Sequence, residues 1–316
     1  MKNIKSKYIL EIICDNLNEK KYMEIIKYNK DIQTRLNIEL NNYKEYYEQI
    51  EIELEIIPIN EDDDDLNTFI YISKEDESYY HIYFNKNKNQ IKRDYCTNKD
   101  KVRNIKILID KEVKSLYGLF QDCDCIKKIN FIRFNRYNIN NMNSMFLGCS
   151  SLEEINFFNF ITHNVIDMGN MLSGCSALKK LNLSKFNTSN VINMECMFDR
   201  CSQLEFLDLS NFNTEKCINM KFMFCRCTAL KEINISNFNT KNLINMEGMF
   251  YECSSLIELD ISHFNICSLI DMSKILYRCS SLKKINIFNF NSNNNIKVYD
   301  MFFGCPDGLE KSLIIN

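Results

Sequence analysis

Cys123, Cys149, Cys175, Cys201, Cys227, Cys253, Cys279 and Cys305 are each separated by 26 residues. A spacing held seven times in succession marks one structural unit repeated along the chain, which excludes most globular folds. Other columns keep the same step. Leu152, Leu178, Leu204, Leu230, Leu256 and Leu282 follow the cysteine by three residues, and Phe160, Phe186, Phe212, Phe238, Phe264 and Phe290 follow it by eleven. Of the chain's 14 methionines, twelve occupy two repeat columns, among them Met194, Met197, Met220 and Met223.

Within one unit the hydrophobic period changes. "LEFLDLSNF" (204–212) alternates around Leu207 and Leu209 as a strand does. "FNTSN" (186–190) is turn chemistry, because Asn, Ser and Thr side chains satisfy nearby backbone groups. "VINMECMFDRC" (191–201) places Met194, Met197, Phe198 and Cys201 at helical spacing. A lone unit buries too little apolar surface to offset its ordering, so units must stack on one another.

The dense sulfur of "NMECMFDRC" could ligate a soft metal such as cuprous copper. However, Ile275 replaces the second Met in one unit, and Leu116 and Leu119 replace both in the first. Columns that accept aliphatic residues want volume, so the methionines are read as core. The repeating cysteines are read as small, buried, reduced thiols, because parallel side chains in stacked units disfavour the close approach a disulfide needs. "CDC" (123–125) and "CRC" (225–227) have no neighbouring His, and His81, His163 and His263 are scattered. No metal, cofactor or catalytic residue is expected, and the chain is not read as an enzyme.

The Leu-x-x-Leu-x-Leu spacing resembles the strand core of a leucine-rich repeat. The whole unit "NVINMECMFDRCSQLEFLDLSNFNT" is similar to the BspA-like leucine-rich repeats, in their methionine-bearing subclass, from about Ile105 to Cys305. Phe186, Phe212 and Phe238 occupy the position usually held by Asn, which comes one residue later at Asn187, Asn213 and Asn239. The resemblance implies non-catalytic repeat solenoids that bind other proteins and, when secreted, act in adhesion. The expected fold is therefore an α/β repeat solenoid. It is a leucine-rich-repeat-like stack of strand–turn–short-helix coils sharing a parallel sheet, preceded by a small helical and β region.

Residues between the apolar strand positions should face solvent. One such column is Asn130, Asn156, Asn182, Asp208, Asn234, Asp260 and Asn286. The next is Phe158, Ser184, Ser210, Ser236, Ser262 and Phe288 in the coils after the first. With Phe206, these are the candidate partner-binding residues, and exposed aromatics are common interface anchors. Lys127 and Lys128, Glu153 and Glu154, Lys179 and Lys180, and Glu205 alternate in sign between neighbouring strands.

Three regions are expected: a helical segment 1–48, a β-rich capping region 49–104 and the repeat array 105–316. "YILEIICDNL" (8–17) and "EKKYMEIIKYNKDIQTRLNI" (19–38) have helical periodicity and are similar to an F-box, although its usual Leu-Pro start is absent. That resemblance implies a substrate receptor of a ubiquitin ligase. "EDDDD" (61–65) lacks the Gly and terminal Glu of a calcium loop. A formal charge of -3 gives no reason to expect nucleic acid. The start lacks the features of a signal peptide and no run reaches membrane-spanning length, so a cytoplasmic protein is expected. The functional expectation is a protein–protein interaction scaffold, with self-association at a weakly capped C-terminal end. The F-box-like receptor and a cell-surface adhesin stand as alternatives.

Overall fold

Backbone pairing recurs at the same interval as the hydrophobic columns. The protein is seen here in a computed structural model that describes Thr34 and residues 52–58, 66–110, 112–134, 136–157, 160–288 and 296–314. The chain divides into two units, Met1–Glu51 and Ile52–Asn316, and the second is described below. Apart from Thr34, the segment 1–48 expected to be helical and similar to an F-box lies outside the described residues.

The unit begins with β1 (Ile52–Pro58), β2 (Asn67–Thr68), β3 (Tyr80–Phe84), β4 (Tyr95–Cys96) and β5 (Ile105–Ile109). The repeat array carries β6 (Ile126–Phe134), β7 (Glu154–Asn156), β8 (Phe206–Asp208), β9 (Glu232–Asn234), β10 (Glu258–Ile261), β11 (Lys284–Phe288) and β12 (Glu310–Ile314). Strand pairs in the array are parallel and offset by one repeat: Ile129 lies opposite Ile155, Leu207 opposite Ile233, and Leu259 opposite Ile285. A second parallel ladder runs from Ser115 through Asn141, Asp167, Asn193, Asn219, Asn245 and Asp271 to Lys297. Each 26-residue unit thus lies beside the next along two ladders, and we call one unit a coil.

The N-terminal strands do not form a separate layer. One five-stranded sheet has the order β3-β5-β1-β6-β7, with β1 antiparallel to both β5 and β6. Its alternation buries Ile52, Leu54 and Ile56. The expected boundary at 104/105 therefore runs through a single sheet. The expected start of the repeat array, "NIKILID" (104–110), is not part of the parallel stack; β5 lies between β3 and β1, with Ile105, Ile107 and Ile109 fully buried. The parallel stack starts at Ser115.

The segment expected as a short helix is a run of tight turns. Cys196 and Arg200 have φ of 53° and 57°, and the equivalent residues of every coil from Gly118 and Asp122 to Asp300 and Gly304 share this left-handed geometry. An α-helix needs negative φ at every residue. Here alternate N–H groups turn outward along the stack instead. Met194, Cys196, Phe198 and Arg200 donate to the carbonyls of Asn219, Lys221, Met223 and Cys225 in the next coil, at 2.9, 2.9, 2.9 and 2.7 Å. The N–H groups of Met197, Asp199 and Cys201 close i−3 turns within the coil. Helical spacing still predicted the buried face, because i and i+3 remain on one side. In the unit Ile52–Asn316, helical backbone among the described residues is confined to two 3-10 turns, Glu77–Tyr79 and Asn98–Asp100.

Side-chain ladders satisfy the remaining polar groups. Asn213 shapes the turn after Phe212 by accepting from Glu215 N at 3.0 Å, and Asn187, Asn239 and Asn265 do the same in their coils. Buried Thr214 donates from Oγ1 to Asn239 O at 3.0 Å and accepts from Asn239 N at 2.8 Å, clamping one coil to the next. Phe columns fill the interior as offset stacks, such as Phe198 on Phe224 at 5.5 Å between centroids and Phe224 on Phe250 at 5.3 Å. At the C-terminal end, Tyr299 and Phe303 are exposed, and Met301, Phe302 and Cys305 are half-buried where their upstream counterparts are buried.

Two substitutions test this scheme. Thr214→Val keeps shape but removes both hydrogen bonds, and denaturant unfolding should show a loss of about 2 kcal/mol, largely restored by Thr214→Ser. At the left-handed turn residues the sign depends on space. Lys274→Gly should stabilise by about 1 kcal/mol, since φ is 57° there. Gly248→Ala should destabilise, because a Cβ would lie 2.1 Å from Phe222 Cε1.

Candidate functional site

The outward columns of the strands lie together on one face of the stack. Asn156, Asn182, Asp208 and Asp260 are exposed, whereas Asn130, Asn234 and Asn286 are half-buried. Their first task is local. Asn182, Asp208, Asn234 and Asp260 each accept from the backbone N–H two residues on, at Ser184, Ser210, Ser236 and Ser262, at 2.9–3.3 Å. These bonds turn the chain at the strand end. The column is also cross-linked, since Asn286 Nδ2 donates to Asp260 Oδ2 at 2.9 Å. Ser236 and Ser262 hydroxyls donate to Asn234 and Asp260 at 2.9 and 2.6 Å, while Ser184 is exposed. Of the aromatics, Phe206 on β8 is 53% exposed. Phe158 and the side chain of Phe288 lie outside the described residues.

Charges on this face pair between strands, with Lys127 and Lys128 reaching Glu153 and Glu154 at 3.3 and 2.7 Å, and Lys231 reaching Glu205 at 2.9 Å. Lys179 and Lys180 have no ion-pair partner among the described residues, and neither do Glu258, Lys283 and Lys284 farther along the face. At Lys179 and Lys180 the backbone breaks as well. The coil between β7 and β8 forms no strand over 179–182, and its apolar Leu181 is only half-buried where Leu207 is buried. A cleft of about 700 Å³ lies at this break, lined by Glu153, Glu154, Lys179, Lys180, Asn182 and Gln203 among others. Here two unpaired cations coincide with a lapse of the strand ladder and a neighbouring exposed Phe.

The sulfur columns are interior. Cys149, Cys175, Cys201, Cys227, Cys253 and Cys279 are buried, and each thiol donates to a carbonyl of the preceding coil, as Cys201 does to Leu172 O at 3.2 Å. Burial pushes these thiols far above the ordinary range, which keeps them protonated and unreactive. Met194, Met197, Met220 and Met223 are fully buried beside them. Cys123 is buried as well, and Cys305 is half-buried in the last coil. Among the described residues, no group of three or more His, Cys, Asp or Glu could hold a metal ion.

One exposed feature escaped the sequence reading. Ile166, Ile192, Ile218, Ile244 and Ile270 form an apolar stripe, each 39–54% exposed, beside the ladder of Asp167 and Asn193. Each follows a buried apolar residue, Val165, Val191, Cys217, Leu243 or Leu269. The signal was this adjacent apolar pair, because two consecutive residues of extended chain cannot both face the core.

The strand-end carboxylates give the face an acid limit. Backbone donation from Ser210 holds Asp208 below the usual Asp range. Burial pushes Asp260 up, but hydrogen bonds from Ser262 and Asn286 outweigh it and leave it depressed. A depressed folded value adds stability that is complete above the unfolded value of about 3.9 and is lost as pH falls through the folded one. Stability should therefore drop on acidification from about pH 5 to 2. Asp208→Asn with Asp260→Asn should flatten that limb in denaturant titrations at stepped pH.

Among the described residues no helix is long and apolar enough to cross a membrane. No curated protein and no solved structure matches this sequence. A family model does, in two overlapping stretches, 114–231 and 202–312, that begin and end with the parallel stack and span more than half of the chain. The chain belongs to the family described as Mycoplasma protein of unknown function, DUF285.

Proposed function

We propose that this protein is a non-catalytic scaffold that binds another protein on the strand face of a BspA-like leucine-rich-repeat solenoid. The observation that carries the reading is the break at 179–182. Elsewhere on the face Lys127, Lys128 and Lys231 are spent on carboxylates of neighbouring coils, and the Asn and Asp column on the turns at the strand ends. At the break, Lys179, Lys180 and the strand edges are free to meet a partner, with Phe206 beside them as an aromatic anchor. An acidic, partly apolar protein surface suits this combination. The half-buried Met301 and Phe302 support self-association at the C-terminal end as a secondary contact.

The test compares affinity purifications of wild type, a face variant (Lys179→Glu, Lys180→Glu, Phe206→Ser) and a control variant, Lys216→Glu, outside the strand face. We expect the proteins retained by wild type and control to be reduced at least several-fold on the face variant, with unchanged melting temperatures. Equal retention by all three would reject the face. A fourth chain starting at Gln49 tests the ubiquitin-ligase reading, which needs residues 1–48. It must start before β1, because a cut near Asp100 would remove strands from the five-stranded sheet.

A further inference from the structure

The repeat accounts for the cysteine ladder but not for Cys96 or Cys125. Cys96 ends β4, which pairs with β2 through only two residue pairs, Asn67 with Cys96 and Thr68 with Tyr95. Cys125 lies in the first coil, one residue before β6. Both side chains are buried, at 6% and 8% exposure. Cys96 Sγ donates to Asn67 O at 3.7 Å, and Cys125 Sγ donates to Thr68 O at 3.2 Å. Both thiols thus converge on the carbonyls of the same two consecutive residues of β2, and each is the first influence on the acidity of the other. Ladder thiols each meet a carbonyl of the preceding coil; these two face β2 at the junction between the N-terminal strands and the repeat array.

We infer that Cys96 and Cys125 are a redox-responsive pair that closes into a disulfide by exchange with a small-molecule disulfide such as oxidised glutathione, fastening β4 to the first coil. Two-residue strands open locally at little cost, which admits the reagent. Cys96 thiolate attacks one sulfur of the small disulfide, forming a mixed disulfide and releasing one small thiolate. Cys125, losing its proton to solvent, attacks Cys96 Sγ and displaces the second. Two protein S–H groups become one S–S bond, the small disulfide is reduced to two thiols, and the two protons end on those thiols. The order of attack follows the local field. The Cys125 thiol lowers Cys96 against the opposing effects of burial and the Asp100 carboxylate, with Arg93 adding to the lowering. The same interaction and burial push Cys125 up. The bond would close a loop between residues 96 and 125, restricting the unfolded chain.

The full chain carrying Cys14→Ser and Cys267→Ser, which removes the exposed Cys267 and the N-terminal Cys14, would be incubated under native conditions with oxidised glutathione. Remaining thiols are then alkylated and peptides mapped by mass spectrometry. We expect one intramolecular link joining the Cys96 and Cys125 peptides, a higher melting temperature and slower proteolysis in 66–100, all reversed by dithiothreitol. Adding Cys125→Ala should leave glutathione on Cys96, and adding Cys96→Ala should leave Cys125 a free thiol. Persistent reduced thiols on both residues, a stable glutathione adduct on Cys96 with Cys125 intact, or links elsewhere would overturn the inference.

Discussion

The rest of this structure depends on hydrogen bonds that run from one coil to the next. In each turn segment, alternate N–H groups point along the stack and bond to carbonyls 25 residues ahead, as from Met194 to Asn219. The isoleucine column bonds backward, as from Ile192 to Ile166. A coil alone would leave these groups without partners, and buried unpaired backbone groups are costly. Stacking is therefore a requirement of the backbone as well as of the apolar interior.

The chain's composition follows from that requirement. Left-handed turn residues recur twice per coil, and several side-chain ladders then satisfy what the backbone cannot. Asn or Asp caps the turn after the strand, after the Phe column and after the bridge ladder, as at Asp208, Asn213 and Asn219. Thr clamps successive coils, and a thiol donates to the coil before it. The Asn richness is thus structural at fixed places, and Cys supplies a small apolar body with a weak donor.

A lattice so self-satisfied leaves function to its departures from regularity. The strand ladder lapses at 179–182, where Lys179 and Lys180 find no counter-charge among the described residues and Phe206 stands exposed on the next strand. The N-terminal junction is another departure. Tyr71 N–H donates to Leu119 O at 2.8 Å, occupying a carbonyl of the first coil, and the Cys96 and Cys125 thiols converge on β2 there. The last coil has only β12 beside β11, and its aromatics stay open to solvent.

By itself the sequence determined the period, the identity of the buried columns and the positions of the turns. These depend on residue type at fixed spacing, and a repeat states each requirement many times over. It also placed Asn182, Asp208 and Asp260 at the surface, because alternation fixes which side of a strand a residue faces. Only the tertiary structure decided between helix and tight turns over 191–201, since both bury Met194 and Met197 and differ only in where the N–H groups go. The destination of β5, the lapse at 179–182 and the convergence of Cys96 and Cys125 on β2 were equally invisible. Each is set by competition between distant segments for the same backbone partners, and such competition leaves no mark on local spacing.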